Sequence, residues 1–144
     1  MWVCVSINYN TVNTKNNRIV DNQNKILKIM SANETIIKQA LKGARTKDKL
    51  ELCGFWFEFL SEKLVFPFSA KAVIAEYTQN VKDGDIVTVK SIYDYYDMYG
   101  IMMEVSKERK KYYIPLCELE VAEKKSGNFK YVEAYNDWFA NYDF

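Results

Sequence analysis

The chain has 144 residues and a formal net charge of +1, with 49% hydrophobic and 27% charged residues. These values are typical of one globular domain and argue against intrinsic disorder or a two-domain protein. Because the sequence contains no histidine, imidazole-based catalysis and histidine–zinc sites are excluded. The three cysteines are far apart and form no CxxC pair, which predicts free thiols of a reducing cytoplasm.

Residues 1–29 are predicted to be an asparagine-rich leader that is poorly ordered or spurious. Seven asparagines fall within residues 8–24. The apolar opening MWVCVSI is too short for a membrane span and lacks the basic residues of a signal peptide. We therefore predict a cytoplasmic protein without a membrane segment. Ser31 and Glu34 have the spacing of a helix capping box, which places a single α+β domain at residues 30–144.

Two helices are predicted next. The first spans about residues 33–44, with Ile36, Ile37, Ala40 and Leu41 on one side. The second spans about residues 47–63, where apolar residues recur at spacings of three and four. These residues are Leu50, Cys53, Phe57, Leu60 and Leu64. Gly54 costs this helix about 1 kcal/mol relative to alanine, which predicts close approach by another backbone.

After Pro67 the apolar period changes from 3.6 to 2, which predicts strands. We place them at about residues 69–77, 86–93, 101–106, 112–114 and 118–121. The turn sequences KDGD, YDYYDMYG and KERK join them, and a final helix is predicted at about residues 129–142. This order predicts an α+β fold with N-terminal helices, a five-stranded bent antiparallel sheet or small SH3-like barrel, and a C-terminal capping helix.

A locally acidic stretch contains the candidate binding residues. Six acids and two lysines lie between Val73 and Glu104, so this region favours cations, and nucleic-acid binding is disfavoured. Asp94 and Asp97 lie three residues apart in the predicted YDYYDMYG loop, and a curled loop would bring both carboxylates to one calcium ion. Calcium needs more oxygens than these two carboxylates. The further candidates are Glu62, Asp85, Glu104 and Glu118.

Other interpretations of these residues stay open. Aspartates are common turn formers, so the tyrosines would then simply pack on the sheet rim. The Tyr93–Tyr99 loop with Tyr112 could instead form a surface for a protein or peptide partner. Asp83 and Asp85 of KDGD are most simply a hairpin turn, because the EF-hand pattern is absent, and KERKK is most simply a solvated turn. No recognisable catalytic motif is present, so an enzyme is disfavoured.

Four ordered segments carry a family resemblance: FWFEFLSEKLVFPFSAKA, DGDIVTVKSI, KKYYIPLCELEV and YNDWFANY. With these segments, residues 50–142 resemble the small calcium-binding protein family first recognised in cyanobacteria (CcbP-like). The resemblance implies a compact α+β protein that binds calcium through surface carboxylates as a buffer or sensor, without catalysis. The metal ligands that it implies are Glu62, Asp94, Asp97 and Glu118.

Overall fold

The computed structural model describes residues 14–74 and 80–142. This part of the chain contains helices α1 (Thr14–Ala40), α2 (Lys49–Lys63) and α3 (Phe129–Asn141). The strands are β1 (Phe68–Ala72), β2 (Ile86–Tyr96), β3 (Gly100–Lys107), β4 (Lys110–Pro115) and β5 (Leu119–Val121). A short 3-10 helix at Leu116–Glu118 precedes β5. The predicted α+β class and the C-terminal helix are confirmed.

The start of α1 differs from the prediction. The helix begins at Thr14 and not near residue 33, so residues 14–29 of the predicted leader are helical. The supposed capping box is wrong, because the Thr35 hydroxyl donates to the Ser31 carbonyl at 3.0 Å and Glu34 pairs with Lys38 at 3.3 Å, both inside the helix. Residues 1–13 lie outside the described residues, and the division into leader and domain stays a prediction. Packing of α1 against α3 favours a longer helix than the local sequence indicates.

Helix α2 begins where Asp48 caps it, since the Asp48 carboxylate accepts the Glu51 N–H at 3.2 Å. Its inward face is centred on Leu52, Trp56 and Leu60, which are buried. Leu50 was predicted to belong to this face but is exposed. The reason is geometric, because each residue turns the helix by about 100° and Leu50 therefore points roughly a third of a turn away from that centre.

The five strands form one antiparallel sheet in the order β4-β3-β2-β1-β5. Strands β4 and β5 are the two edges of this sheet. The structure therefore supports the predicted bent sheet and does not confirm the other alternative, a closed barrel. The pairing of β2 with β3 shifts register between Val89 and Ser91 and again between Ile92 and Asp94. Such bulges increase the local twist and bend the strand.

Several strand limits differ from the sequence prediction. Strand β1 ends at Ala72, so the prediction is wrong at residues 73–74, and residues 75–77 of the predicted range lie outside the described part of the chain. Strand β2 continues to Tyr96, so the predicted acidic loop is wrong at Asp94, which is a strand residue. The extension follows from pairing with β3, which a local turn signal does not report. Glu118 lies in the 3-10 helix and not in β5.

The core lies between the inner face of the sheet and the helices α2 and α3. Trp56 is fully buried at its centre, with its ring 5.4 Å from Tyr135 and 5.7 Å from Trp138. The alternating strand residues that meet these rings are buried as well. They include Val87, Val89, Ile101, Met103 and Val105. This packing fixes α3 against the end of the sheet where β2 turns into β3.

Candidate functional site

Asp94 points away from the core at the end of β2. Successive strand residues face opposite sides of a sheet. Tyr95 faces inward, with its ring 5.4 Å from that of Phe57 on α2, so Asp94 and Tyr96 face solvent. The Asp94 carboxylate accepts the Tyr95 N–H at 2.8 Å, which orients it locally. Asp94 is thus an exposed carboxylate whose direction is set by the strand and by its hydrogen bond to the Tyr95 N–H.

Asp97 opens the turn between β2 and β3, which comprises residues 97–99. Gly100 closes this turn with φ +65, a conformation that favours glycine. A Cβ at Gly100 would collide with the Tyr135 hydroxyl and the Phe139 ring. The turn therefore lies directly against α3, and only glycine fits at its end.

Tyr135 anchors this turn from α3. Its hydroxyl accepts the Ile101 N–H at 2.9 Å in a fully buried hydrogen bond. The sequence placed Tyr135 on the apolar stripe of the last helix and gave no sign of its polar role. The only local signal was Gly100 after the acidic run. Tyr135 lies 34 residues beyond Ile101, so no local pattern reports their hydrogen bond.

Gly54 of α2 lies next to the inward-facing side chain of Tyr95 in the same hairpin. A Cβ at Gly54 would lie 3.2 Å from the Tyr95 hydroxyl oxygen. The predicted approach of another backbone is wrong, because the group that meets Gly54 is the Tyr95 side chain. The absence of a side chain at Gly54 leaves room for Tyr95 to pack on the helix.

The charge of Asp97 affects the buried thiol of Cys53. Burial is the main cause that raises the pKa of Cys53 to about 11; Lys49 opposes the shift, and Asp97 adds to it. Burial also raises the pKa of Cys117. Because the thiolate is the form that binds metals, both thiols are poor ligands at neutral pH. Oxygen atoms are therefore the metal donors to consider here.

Two of the candidate oxygen donors are already paired with lysines. The Asp85 carboxylate contacts the Lys107 ammonium at 2.6 Å and accepts the Lys82 N–H at 2.8 Å. The hydrogen bond from Lys107 is the main cause that holds the pKa of Asp85 below its usual value. Glu104 pairs with Lys111 at 3.4 Å. These contacts give both acids a structural role.

The remaining predicted ligands lie on other elements. Glu62 is exposed in the last turn of α2, and Glu118 is half-buried in the 3-10 helix, where its carbonyl accepts the Val73 N–H at 2.8 Å. Within residues 14–74 and 80–142, no three acidic or cysteine side chains are grouped closely enough to hold a metal ion. The structure does not assemble the four predicted ligands into one set, and their role stays a prediction.

A family model for calcium binding, Calci_bind_CcbP, matches residues 34–139. The chain belongs to the CcbP calcium-binding family. This family is one of calcium-binding proteins and not of known enzymes. Membership makes calcium the ligand to test, and the matched range includes α2, the β2–β3 hairpin and most of α3.

Two solved structures have the CcbP fold seen here. The crystal structure of Anabaena CcbP is 20% identical, with a TM-score of 0.61 over 79% of this chain and 94% of that one. A calcium-binding protein in its calcium-binding form is also 20% identical, with a TM-score of 0.53 over 77% and 94%. No curated protein sequence matches this CcbP-family chain. At this identity the structural similarity supports the fold alone.

None of the helices in the described part of this family member combines the length and hydropathy of a membrane span.

Proposed function

We propose that this protein binds calcium through Asp94 and Asp97, as a buffer or sensor and without catalysis. The observation that carries the proposal is the family match over residues 34–139. The hairpin at the centre of this match presents two exposed carboxylates within four residues. Carboxylates combined with backbone carbonyls and water are the ligands that calcium prefers.

The ion pairs in the structure favour these two acids over the other candidates. Among the described residues, neither Asp94 nor Asp97 forms an ion pair with lysine or arginine, whereas Asp85 and Glu104 do. A cation at Asp85 or Glu104 would have to displace an ammonium group. A cation at Asp94 or Asp97 would displace no such ammonium group.

The same geometry predicts modest affinity. Two carboxylates supply fewer oxygens than calcium requires, so carbonyls of the turn and water must complete the coordination. Ordering the turn and its side chains around an ion costs free energy that a preassembled site avoids. Glu62 and Glu118 stay predicted ligands, which the single substitutions Glu62→Gln and Glu118→Gln would test.

Isothermal titration of calcium into the full chain tests the proposal, with magnesium and potassium as control ions. We expect saturable heat that the double change Asp94→Asn with Asp97→Asn abolishes. The matched control is Asp21→Asn with Glu123→Gln, which removes the same charge from exposed positions elsewhere. Unchanged calcium binding by the hairpin variant would contradict the assignment of these ligands.

A protein or peptide interaction module without metal is the second candidate function. The observation that favours it is the exposure of Tyr93, Tyr96, Met98 and Tyr99 on the same hairpin. Tyrosine and methionine are enriched in protein interfaces. If millimolar calcium gives neither heat nor a higher melting temperature, which binding to the native state would produce, this second function is favoured.

A further inference from the structure

The β2–β3 hairpin exposes an aromatic surface around the two aspartates. The exposed fractions are 50% for Tyr93, 41% for Tyr96, 75% for Met98 and 53% for Tyr99. We call these four side chains, together with Asp94 and Asp97, the hairpin surface. Several large apolar side chains exposed together are uncommon on a monomer unless they contact a partner.

The hairpin surface is held in place by its inner side. Tyr95 packs between Phe57 and Gly54 on α2, and Ile101 is hydrogen-bonded to Tyr135 on α3. These contacts fix the backbone that presents Asp94 and Tyr96 to solvent. A partner therefore meets a largely preformed backbone, which lowers the entropy cost of binding.

The chemistry of the hairpin surface favours one kind of partner. Exposed tyrosine rings attract cations over their faces, and arginine stacks on such rings more readily than lysine. The planar guanidinium also donates two parallel hydrogen bonds to a carboxylate, and Asp94 and Asp97 supply carboxylates beside the rings. Phosphate groups are repelled by the same two acids.

We infer that the hairpin surface binds a basic protein segment that carries arginine, and that calcium competes with this segment for Asp94 and Asp97. The arginine side chain would stack on Tyr99 while its guanidinium pairs with a carboxylate. The competition rests on the proposed calcium function, because both ligands use the same oxygens. Each then weakens the other by the same factor.

Fluorescence anisotropy with a labelled peptide of alternating arginine and serine tests this inference on the full chain. We expect saturable binding that weakens as calcium is added. The change Tyr99→Ser should weaken peptide binding about tenfold or more and leave the calcium heat unchanged. The change Asp94→Asn with Asp97→Asn should abolish both. The control Leu27→Ser removes an exposed apolar side chain on α1 and should change neither.

Several results would overturn the inference, each in a different way. Equal binding of a peptide with glutamate in place of arginine would assign the contact to the basic β3–β4 turn. Unchanged peptide binding by the tyrosine variant would show that only general charge attraction holds the peptide. Self-association in sedimentation without peptide would assign the surface to a second copy. A calcium heat without any peptide binding would overturn only the inference and would leave the proposed function intact.

Discussion

The two acidic turns of this protein contain the same residue type in different environments. In the KDGD turn, Asp83 accepts the Ile74 N–H at 3.2 Å and Asp85 pairs with Lys107. In the β2–β3 hairpin, Asp94 has a hydrogen bond to the neighbouring Tyr95 N–H, and both Asp94 and Asp97 are exposed. The first turn uses its carboxylates to hold the fold, and the second presents them outward. Acid content alone does not distinguish these roles.

The largest expected effect comes from disrupting the packing of the β2–β3 turn against α3. Gly100→Ala should lower the free energy of unfolding by about 3 kcal/mol, since it combines positive φ with overlap in a packed core. Urea denaturation measures this change. Gly127→Ala is the matched control, because a Cβ there meets no atom within 4 Å and should have a small effect. A similar small effect at Gly100 would contradict the described packing of the turn on α3.

A subtler change removes only the polar anchor of that turn. Tyr135→Phe keeps the buried ring but leaves the Ile101 N–H without its acceptor. The expected loss is about 2 kcal/mol of unfolding free energy by urea denaturation, which is typical of a buried unsatisfied group. Tyr113→Phe alters an exposed tyrosine and should change little. Equal stability of the two variants would show that the Tyr135 hydrogen bond is dispensable.

A smaller, pH-dependent loss is expected when the KDGD turn loses its ion pair. The pKa of Asp85 is lowered in the folded state, chiefly by Lys107. The pair therefore stabilises the fold above the ordinary aspartate pKa and is lost as pH falls through the lowered value. Thermal unfolding at several pH values should show that Asp85→Asn destabilises at neutral pH and has no effect in strong acid.

Lys107, the partner of Asp85, determines how the stability from this ion pair is lost at high pH. The pKa of Lys107 is raised, mainly by Asp85, so its contribution is full below the ordinary lysine pKa and is lost as pH rises through the raised value. Lys107→Met should remove this loss at high pH together with the loss that Asp85→Asn removes at low pH, as thermal unfolding at several pH values measures. An unchanged profile would show that the pair does not contribute to stability.

The smallest effect, in the stabilising direction, is expected at the β3–β4 turn. Glu108 and Arg109 adopt φ values of 50 and 66, which asparagine and glycine tolerate better. Glu108→Asn with Arg109→Gly should raise the free energy of unfolding by about 1 kcal/mol in urea. Arg109→Lys keeps the backbone strain and should have no such effect. No gain in the double variant would show that this turn relaxes without glycine.

Local patterns identified most of the elements but not the environment of the candidate site. The strand from Ile86 and the helix from Phe129 were evident from their periodicity, and both start at the predicted residue. The predicted end of β2 was wrong because the run of tyrosines and aspartates resembles a turn. Pairing of Tyr96 with Gly100 instead extends the strand. The start of α1 was wrong because a capping signal is too short to report the tertiary packing of a long helix.

The sequence by itself determined the α+β class, the absence of imidazole chemistry and the family, because composition, periodicity and ordered motifs are local properties of the chain. Only the tertiary structure decided which carboxylates are paired and which are exposed. The Asp85–Lys107 pair spans 22 residues and the Tyr135–Ile101 hydrogen bond spans 34. Such contacts depend on strand register and helix packing, so the same aspartate pattern becomes a structural turn at one place and a candidate calcium ligand at the other.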